Sequence, residues 1–164
     1  GSGLLRGVLI GVVISILLLL RRGSRPHTTE LGRVWGTDYF GDAVRHPENE
    51  ILPDVFVFRV DAALLYFNVE HVRDRFFEML DARGPGVRLA VFFLGTSPNV
   101  DLAGADLLEE LHDALRERGI AFRLAEARGE VRETLRAAGF EQRCFRVVPV
   151  QPVATVVAEW RALA

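Results

Sequence analysis

Residues 89–108 read Leu-Ala-Val-Phe-Phe-Leu-Gly-Thr-Ser-Pro-Asn-Val-Asp-Leu-Ala-Gly-Ala-Asp-Leu-Leu. The run 89–94 is apolar throughout, which is typical of a strand that is buried on both faces of a sheet. A polar loop follows, and Asp101 stands at the N-cap position of an amphipathic helix. A buried strand that leads through a loop into a helix predicts one unit of an alternating α/β fold.

The rest of the chain after residue 50 repeats this alternation of apolar strand runs and amphipathic helices. We expect strands at 55–60, 63–67, 88–94, 120–124 and 145–148, with 88–94 at the sheet centre. We expect helices that begin after Asn68 and Asp101 and end before Gly84 and Gly119, and further helices at 130–138 and 152–163. Connections of this kind predict a largely parallel sheet flanked by helices.

The composition of the chain argues against nucleic-acid binding and against an internal disulfide. The 164 residues are 49% hydrophobic and 26% charged, with a formal net charge of −2, which suits a globular domain and gives no basic stripe for nucleic acid. We therefore expect no nucleic-acid partner. The single cysteine, Cys144, excludes an internal disulfide and fits a reducing compartment.

An apolar run occupies residues 3–20, and its uncharged part, 7–20, would extend roughly 21 Å as a helix, short of a bilayer core of about 30 Å. A signal peptide, a buried soluble helix and the C-terminal part of a membrane helix are the alternatives. No small-residue cleavage site follows, and the run has no polar face. Arg21, Arg22 and Arg25 follow instead, so a membrane helix with its C-terminal end in the cytoplasm is favoured.

Residues 22–50 lack sustained periodicity and contain five Gly and Pro residues between 26 and 47, which is typical of a connector. The predicted division is a transmembrane helix at 1–21, a linker at 22–50 and a globular domain at 51–164. Trp35, Tyr39 and Phe40 are too apolar for a free linker, so we expect them to pack on the domain or near the lipid headgroups.

The sequence contains no motif for catalysis, for a cofactor or for a metal ion. Ser97 has no Gly-x-Ser-x-Gly surroundings, and the four histidines show neither i, i+4 pairing nor cysteine companions. No phosphate-binding glycine loop is present. We predict no catalytic residue, no cofactor and no metal ligand.

The loop at 95–104 is the candidate site, because ligands in such sheets gather beyond the carboxyl ends of the strands. Its residues would contact a partner protein, an anion or a nucleotide near the N-terminus of the helix. The alternative is structural: Asp101 caps the helix, Pro98 stiffens the loop and Gly104 allows the helix to pack closely on the sheet. The candidate contact residues are Thr96, Ser97, Asn99, Asp101 and Gly104.

The order of several segments resembles the C-terminal end of a SulP-family anion transporter, which consists of a last membrane helix, a linker and a STAS domain. These segments are Gly7-Val-Leu-Ile-Gly11-Val-Val-Ile-Ser15, Arg25-Pro26-His27, Leu31-Gly32-Arg33-Val34, Arg45-His46-Pro47-Glu48, Phe58-Arg59-Val60-Asp61-Ala62, Leu65-Tyr66-Phe67-Asn68, Asp101-Leu-Ala-Gly104, Arg128-Gly129-Glu130-Val131-Arg132 and Gly139-Phe140.

The resemblance implies a STAS-like α/β fold with a largely parallel or mixed sheet, in the cytosol beneath a bacterial inner membrane. It implies a regulatory and assembly domain of a carrier of sulfate, bicarbonate or dicarboxylates. The substrate site would lie in upstream helices, so this chain would not transport by itself. The implied partners are the upstream membrane domain, a second copy in a homodimer, and a regulatory protein or nucleotide.

The sequence departs from the STAS pattern where anti-sigma-factor antagonists carry a phosphorylated serine. Leu102 and Ala103 occupy the switch positions and have no hydroxyl, so no phospho-acceptor is predicted. This departure favours the transporter branch of the family. A soluble anti-sigma-factor antagonist and a nucleotide-sensing STAS module remain the alternatives.

Overall fold

The computed structural model describes all of Gly1–Ala164 and contains five strands and six helices. The strands are β1 (Thr28–Arg33), β2 (Phe40–Asp42), β3 (Val55–Val60), β4 (Leu89–Phe93) and β5 (Ala121–Ala125). The helices are α1 (Ser2–Ser24), α2 (Val69–Arg83), α3 (Leu102–Glu117), α4 (Gly129–Ala137), α5 (Phe140–Arg143) and α6 (Val153–Leu163).

The five strands form one mixed sheet in the order β2-β1-β3-β4-β5. β3, β4 and β5 are parallel, with Val55 opposite Leu89 and Leu89 opposite Ala121, because α2 and α3 return the chain to the same end of the sheet. β1 pairs antiparallel with both β2 and β3. The predicted α/β sheet flanked by helices is confirmed.

The strands have apolar side chains on both faces, so the sheet separates two hydrophobic cores. In β3, Phe56, Phe58 and Val60 point into a core of 24 buried residues that also contains the inner faces of α2, α3 and α4. Val55 and Val57 alternate with them and join a second core of 10 buried residues against α6. Burial on both faces explains why β3 and β4 are apolar along almost their whole length.

The interval 22–50, predicted as a linker, contains β1 and β2, so the prediction of a connector is wrong for those residues. β1 reads Thr-Thr-Glu-Leu-Gly-Arg, and only Thr29, Leu31 and the small Gly32 are buried. A short strand with so little apolar surface shows no clear alternation in the sequence. β1 is held in the sheet by backbone pairing with β3, and such pairing leaves no periodic pattern in the sequence.

Two other predicted strands are absent. Residues 63–67 form a single bridge, between Leu64 and Val100, and then turn into α2. Residues 145–148 pair with no strand; Phe145 instead packs its ring on Phe122 and Phe140 after the short helix α5. The strand predicted at 88–94 lies inside the sheet, but β3 is the central strand.

The helix ends follow the predicted signals. Gly119 closes the turn after α3 with a φ of 72°, and Gly139 follows α4 with a φ of 80°, a region that glycine enters without a Cβ clash. Asn68 occupies the N-cap position of α2, but its side chain makes no capping hydrogen bond and instead accepts one from the Leu65 N–H at 3.0 Å.

α1 is long and apolar and contacts little of the domain. Its 23 residues contain no buried side chain, and its most apolar window has a mean hydropathy of 2.6. By length and composition it is the one helix able to cross a membrane. Arg21 and Arg22 lie in its last turn and Arg25 directly follows it.

The aromatic residues of the 34–40 hairpin divide between core and solvent. All three aromatic residues were expected to pack on the domain or near the lipid headgroups, and Phe40 does pack against the second core. Trp35 and Tyr39 remain 68% and 78% exposed at the hairpin tip, so they do not pack on the domain.

An ion pair joins α2 to the antiparallel edge of the sheet. The Arg83 guanidinium pairs with the Glu30 carboxylate and also donates to the Leu52 carbonyl oxygen at 2.7 Å and the Val55 carbonyl oxygen at 3.3 Å. Burial raises the pKa of Glu30, and Arg83 opposes that rise. The guanidinium thus connects three chain segments that are distant in sequence.

Replacing Arg83 with Ala is expected to lower the free energy of unfolding by about 3 kcal/mol, because a largely buried carboxylate and two carbonyls lose their donor. Urea unfolding of the chain in detergent micelles measures this. Arg116→Ala, at a side chain that is 70% exposed, is the control and is expected to change stability by no more than about 0.5 kcal/mol. Equal effects of the two substitutions would contradict the role of Arg83.

Candidate functional site

The candidate site lies where the three parallel strands end. β3, β4 and β5 present their C-termini at one edge of the sheet, which we call the carboxyl edge. The segments that leave this edge are 61–68, 94–101 and 126–128. All five predicted contact residues lie in the second of these segments or in the first turn of α3.

Both carboxylate oxygens of Asp101 are occupied. Oδ1 accepts a hydrogen bond from the Gly104 N–H at 2.9 Å, which confirms Asp101 as the N-cap of α3. Oδ2 accepts a hydrogen bond from the Tyr66 N–H at 2.9 Å. Asp101 therefore attaches the start of α3 to the segment that leads from β3 into α2.

That segment, 63–67, crosses directly over the start of α3. The Leu64 N–H donates to the Asn99 carbonyl at 3.0 Å, and the Leu64 carbonyl accepts from the Asp101 N–H at 3.0 Å. A Cβ added to Gly104 would lie 2.6 Å from the Leu64 carbonyl oxygen and 2.8 Å from Val100 Cγ1. Gly104 does permit close packing, but its neighbour is the 63–67 segment together with the preceding loop.

The remaining predicted residues have different surroundings. Thr96 is an exposed residue, and its hydroxyl donates to the Val60 carbonyl at 2.8 Å. Ser97 is fully buried, and its hydroxyl oxygen has no hydrogen-bond partner. The Asn99 side chain is exposed. The structure gives Thr96, Asp101 and Gly104 internal roles, and contact with a ligand or partner stays a prediction for the loop.

The two switch positions differ in exposure. Leu102 is 63% exposed, and Ala103 is half-buried in a groove between α2 and α3. The nearest hydroxyls in the sequence, on Thr96 and Ser97, lie in the preceding loop, one engaged with a backbone carbonyl and the other buried.

Sequence reasoning missed the exposed aromatics beside Leu102. Tyr66 is 74% exposed and Phe67 is 36% exposed, and their rings meet edge to face with centroids 5.4 Å apart. The apolar run 63–67 indicated a buried strand. The turn at 66–68, which presents these rings outward, has Asn68 as its one sequence signal.

Asn68 connects the carboxyl edge to the end of α1. Its side chain is buried and donates from Nδ2 to the Ala63 carbonyl at 2.9 Å and to the Gly23 carbonyl at 3.5 Å. A Cβ on Gly23 would lie 3.1 Å from Phe67 Cε2, so the last turn of α1 rests against the Phe67 ring.

A polar cluster lies beside this junction and centres on Asp42, which is 6% exposed. Its Oδ1 accepts hydrogen bonds from the Thr29 hydroxyl and the Val44 N–H, both at 2.9 Å, and from the Arg45 N–H at 3.1 Å. Arg59 and His27 lie 3.7 and 3.9 Å from its Oδ2. Burial raises the pKa of Asp42, but these hydrogen bonds and Arg59 outweigh burial and hold the pKa below its usual value.

No three His, Cys, Asp or Glu side chains converge in an arrangement that could hold a metal ion. At the carboxyl edge, Asp101 and Thr96 are bonded to the domain's own backbone, and three apolar side chains, Tyr66, Phe67 and Leu102, are exposed.

Comparison with known families gives a match to the STAS domain over residues 46–154. A probable sulfate transporter of Mycobacterium tuberculosis is 36% identical over 154 residues, which cover 91% of this chain and 28% of that protein. Sulfate transporter 1.3 of Arabidopsis thaliana is 32% identical over 127 residues, 73% of this chain and 19% of that protein. The chain thus spans less than a third of the length of these curated relatives.

Solved structures share the fold. The murine solute carrier 26 family member A9 anion transporter, in its inward-facing state, superposes with a TM-score of 0.85 at 19% identity, covering 96% of this chain and 26% of that chain. A sulfate transporter family protein from Wolinella succinogenes superposes with a TM-score of 0.54 at 17% identity, covering 76% of this chain and all of that chain.

Gly104→Ala is expected to lower the free energy of unfolding by about 1–3 kcal/mol, because the new Cβ collides with backbone and side-chain atoms of Leu64 and Val100. Gly129→Ala is the matched control, since its Cβ would meet nothing closer than 4.0 Å. Urea unfolding in micelles compares the two. A Gly104→Ala chain as stable as the Gly129→Ala chain would show that the close approach is not required.

Asp42→Asn is expected to cost about 1 kcal/mol at pH 7, because the amide keeps an acceptor oxygen but loses the charge. A carboxyl whose folded pKa is lowered adds stability above its unfolded pKa and loses it as the pH falls through the folded pKa. The difference in the free energy of unfolding between Asp42→Asn and the unmodified chain should therefore shrink below about pH 4. Unfolding from pH 3 to 7 tests this against Asp38→Asn on the exposed hairpin; a difference that is independent of pH would contradict it.

Proposed function

The chain belongs to the STAS domain family and is homologous to sulfate transporters over most of its length, and on that premise we propose that it is the regulatory and assembly end of a secondary anion transporter. α1 (Ser2–Ser24) is proposed as the last membrane helix, and the residues from β1 (Thr28–Arg33) to the end of α6 as the cytoplasmic STAS domain, because β1 and β2 belong to its sheet. The transported anion would be sulfate, bicarbonate or a dicarboxylate.

The observation that carries the proposal is the extent of the match to the Mycobacterium tuberculosis protein. It covers 91% of the 164 residues, which is about 149, so it begins no later than about residue 16 and includes β1, β2 and at least the C-terminal part of α1. The shared sequence therefore includes the end of a membrane-type helix and the STAS domain that follows it, an arrangement suited to an attached membrane domain.

The orientation proposed for α1 follows from its charges. Arg21, Arg22 and Arg25 lie at its C-terminal end, where the positive-inside rule places the cytoplasm. The domain would then lie in the cytosol beneath a bacterial inner membrane. The upstream membrane domain, a second copy, and a regulatory protein or nucleotide are the proposed partners.

The site chemistry supports a role in contact and regulation, without catalysis. The carboxylate of Asp101 and the hydroxyl of Thr96 are hydrogen-bonded to the domain's own backbone. A catalytic group would instead need to be within hydrogen-bond reach of a substrate. At the switch positions, Leu102 and Ala103 offer no oxygen for phosphate, which supports the transporter branch over a phosphorylated antagonist.

Reconstituted in liposomes, the longer protein that carries this chain is expected to take up radiolabelled sulfate, bicarbonate or a dicarboxylate, while the 164-residue chain alone is expected to take up none. Gly104→Ala in the longer protein should lower uptake, because it displaces the segment that contacts the end of α1. Gly129→Ala should leave uptake unchanged. Failure of the longer protein to move any small anion would refute the transporter assignment.

A further inference from the structure

We propose that Tyr66, Phe67 and Leu102 form a lipid-contact surface that docks on the headgroup region of the bilayer spanned by α1. This inference rests on the proposed function, because it requires α1 to cross a membrane. It adds a second point of attachment, through which the STAS domain is oriented by lipid as well as by its covalent connection to α1.

Tyr66, Phe67 and Leu102 are exposed apolar side chains on two adjoining segments of the carboxyl edge, and we call them together the aromatic patch. Tyr66 and Leu102 are 74% and 63% exposed. The Tyr66 N–H is bonded to Asp101, the residue directly before Leu102, and the Phe67 ring packs edge to face on Tyr66. The patch is fixed to the fold by this backbone contact.

The patch lies next to the point where α1 leaves the domain. Gly23, in the last turn of α1, rests against the Phe67 ring, and its carbonyl accepts from Asn68. The buried Pro26 then leads directly into β1. The end of α1 and the aromatic patch therefore stand at the same level relative to the sheet.

The length of α1 places that level at the membrane surface. A helix of 23 residues extends about 34 Å, and a bilayer core is about 30 Å thick. Because Arg21 and Arg22 directly follow the apolar run, Gly23 lies within the headgroup region when that run is in the core, and Phe67 is in contact with Gly23.

The chemistry of the patch fits that region. Tyrosine concentrates at membrane interfaces because its ring is apolar and its hydroxyl is polar. Arg21, Arg22 and Arg25 stand beside the patch and would attract anionic lipid headgroups. Two opposing charges lie at the patch: the Asp101 carboxylate, which accepts from the Tyr66 and Gly104 N–H groups, and Glu70 in the first turn of α2.

The other exposed aromatic pair of the domain lies elsewhere and provides an internal comparison. β1 begins beside α1 at Thr28 and extends six residues, about 20 Å, before the hairpin that carries Trp35 and Tyr39. Tyr39 is 78% exposed, as open as Tyr66, but it lies at the opposite end of the sheet.

The test attaches the fluorophore NBD to single cysteines in the full chain, in nanodiscs of phosphatidylcholine and phosphatidylglycerol with nitroxide-labelled lipids. Cys144, the one native cysteine, is replaced by Ala first, with circular dichroism as the check on folding. Probes at Tyr66→Cys and Leu102→Cys are expected to be quenched by shallow nitroxides about twofold more than a probe at Tyr39→Cys.

A probe at Val13→Cys, in the middle of α1, separates this inference from the proposed function. If deep nitroxides quench position 13 while positions 66 and 102 are quenched no more than position 39, α1 spans the bilayer and the lipid-contact surface is refuted. If position 13 is not quenched, the membrane helix and the inference both fail. Loss of quenching at 66 and 102 in the longer protein would overturn the inference in favour of a protein partner.

Discussion

The close approach of Gly104 to the Leu64 carbonyl is the constraint on which the arrangement of this domain depends. A Cβ would stand 2.6 Å from that oxygen, so a side chain at 104 and the observed path of 63–67 exclude each other. Because Leu64 also exchanges two backbone hydrogen bonds with the loop at 99–101, the segment is held along its length. The backbone groups of Leu64, Asn99 and Asp101 and the Asp101 carboxylate are paired through this one crossing.

The same crossing determines how the domain meets α1. The 63–67 segment ends at Asn68, whose amide is bonded to Ala63, to Leu65 and to Gly23. A shift at Gly104 would therefore reach the last turn of α1 through two hydrogen-bonded residues and the Phe67 ring. In a membrane protein, such a path of packed and hydrogen-bonded residues is one physical route by which the domain would influence the helix to which it is attached.

The sequence predicted those parts of the fold whose signals are local. β3, β4 and the core helices carry strong apolar periodicity, and Asp101 and Gly104 were identified from capping and packing rules that act within four residues. β1, β2 and the crossing at 63–67 were not predicted, because their positions depend on long-range backbone pairing. The exposure of Tyr66 and Phe67 was not predicted for the same reason. Two adjacent apolar residues indicate a buried position unless the turn that exposes them is known.

The exchange of a switch hydroxyl for leucine has a physical meaning beyond the loss of a phosphate acceptor. At the N-terminus of a helix, the negative charge of a phosphoserine is stabilised by the helix dipole. Phosphorylation at that position therefore changes the affinity of the surface for a partner by changing its charge. Leucine at the same exposed position gains nothing from the dipole, and its apolar area favours contact with a surface that is itself partly apolar. With Leu102 beside Tyr66 and next to the end of a membrane-type helix, the chemistry of this edge matches a permanent neighbour better than a reversible, charge-gated one.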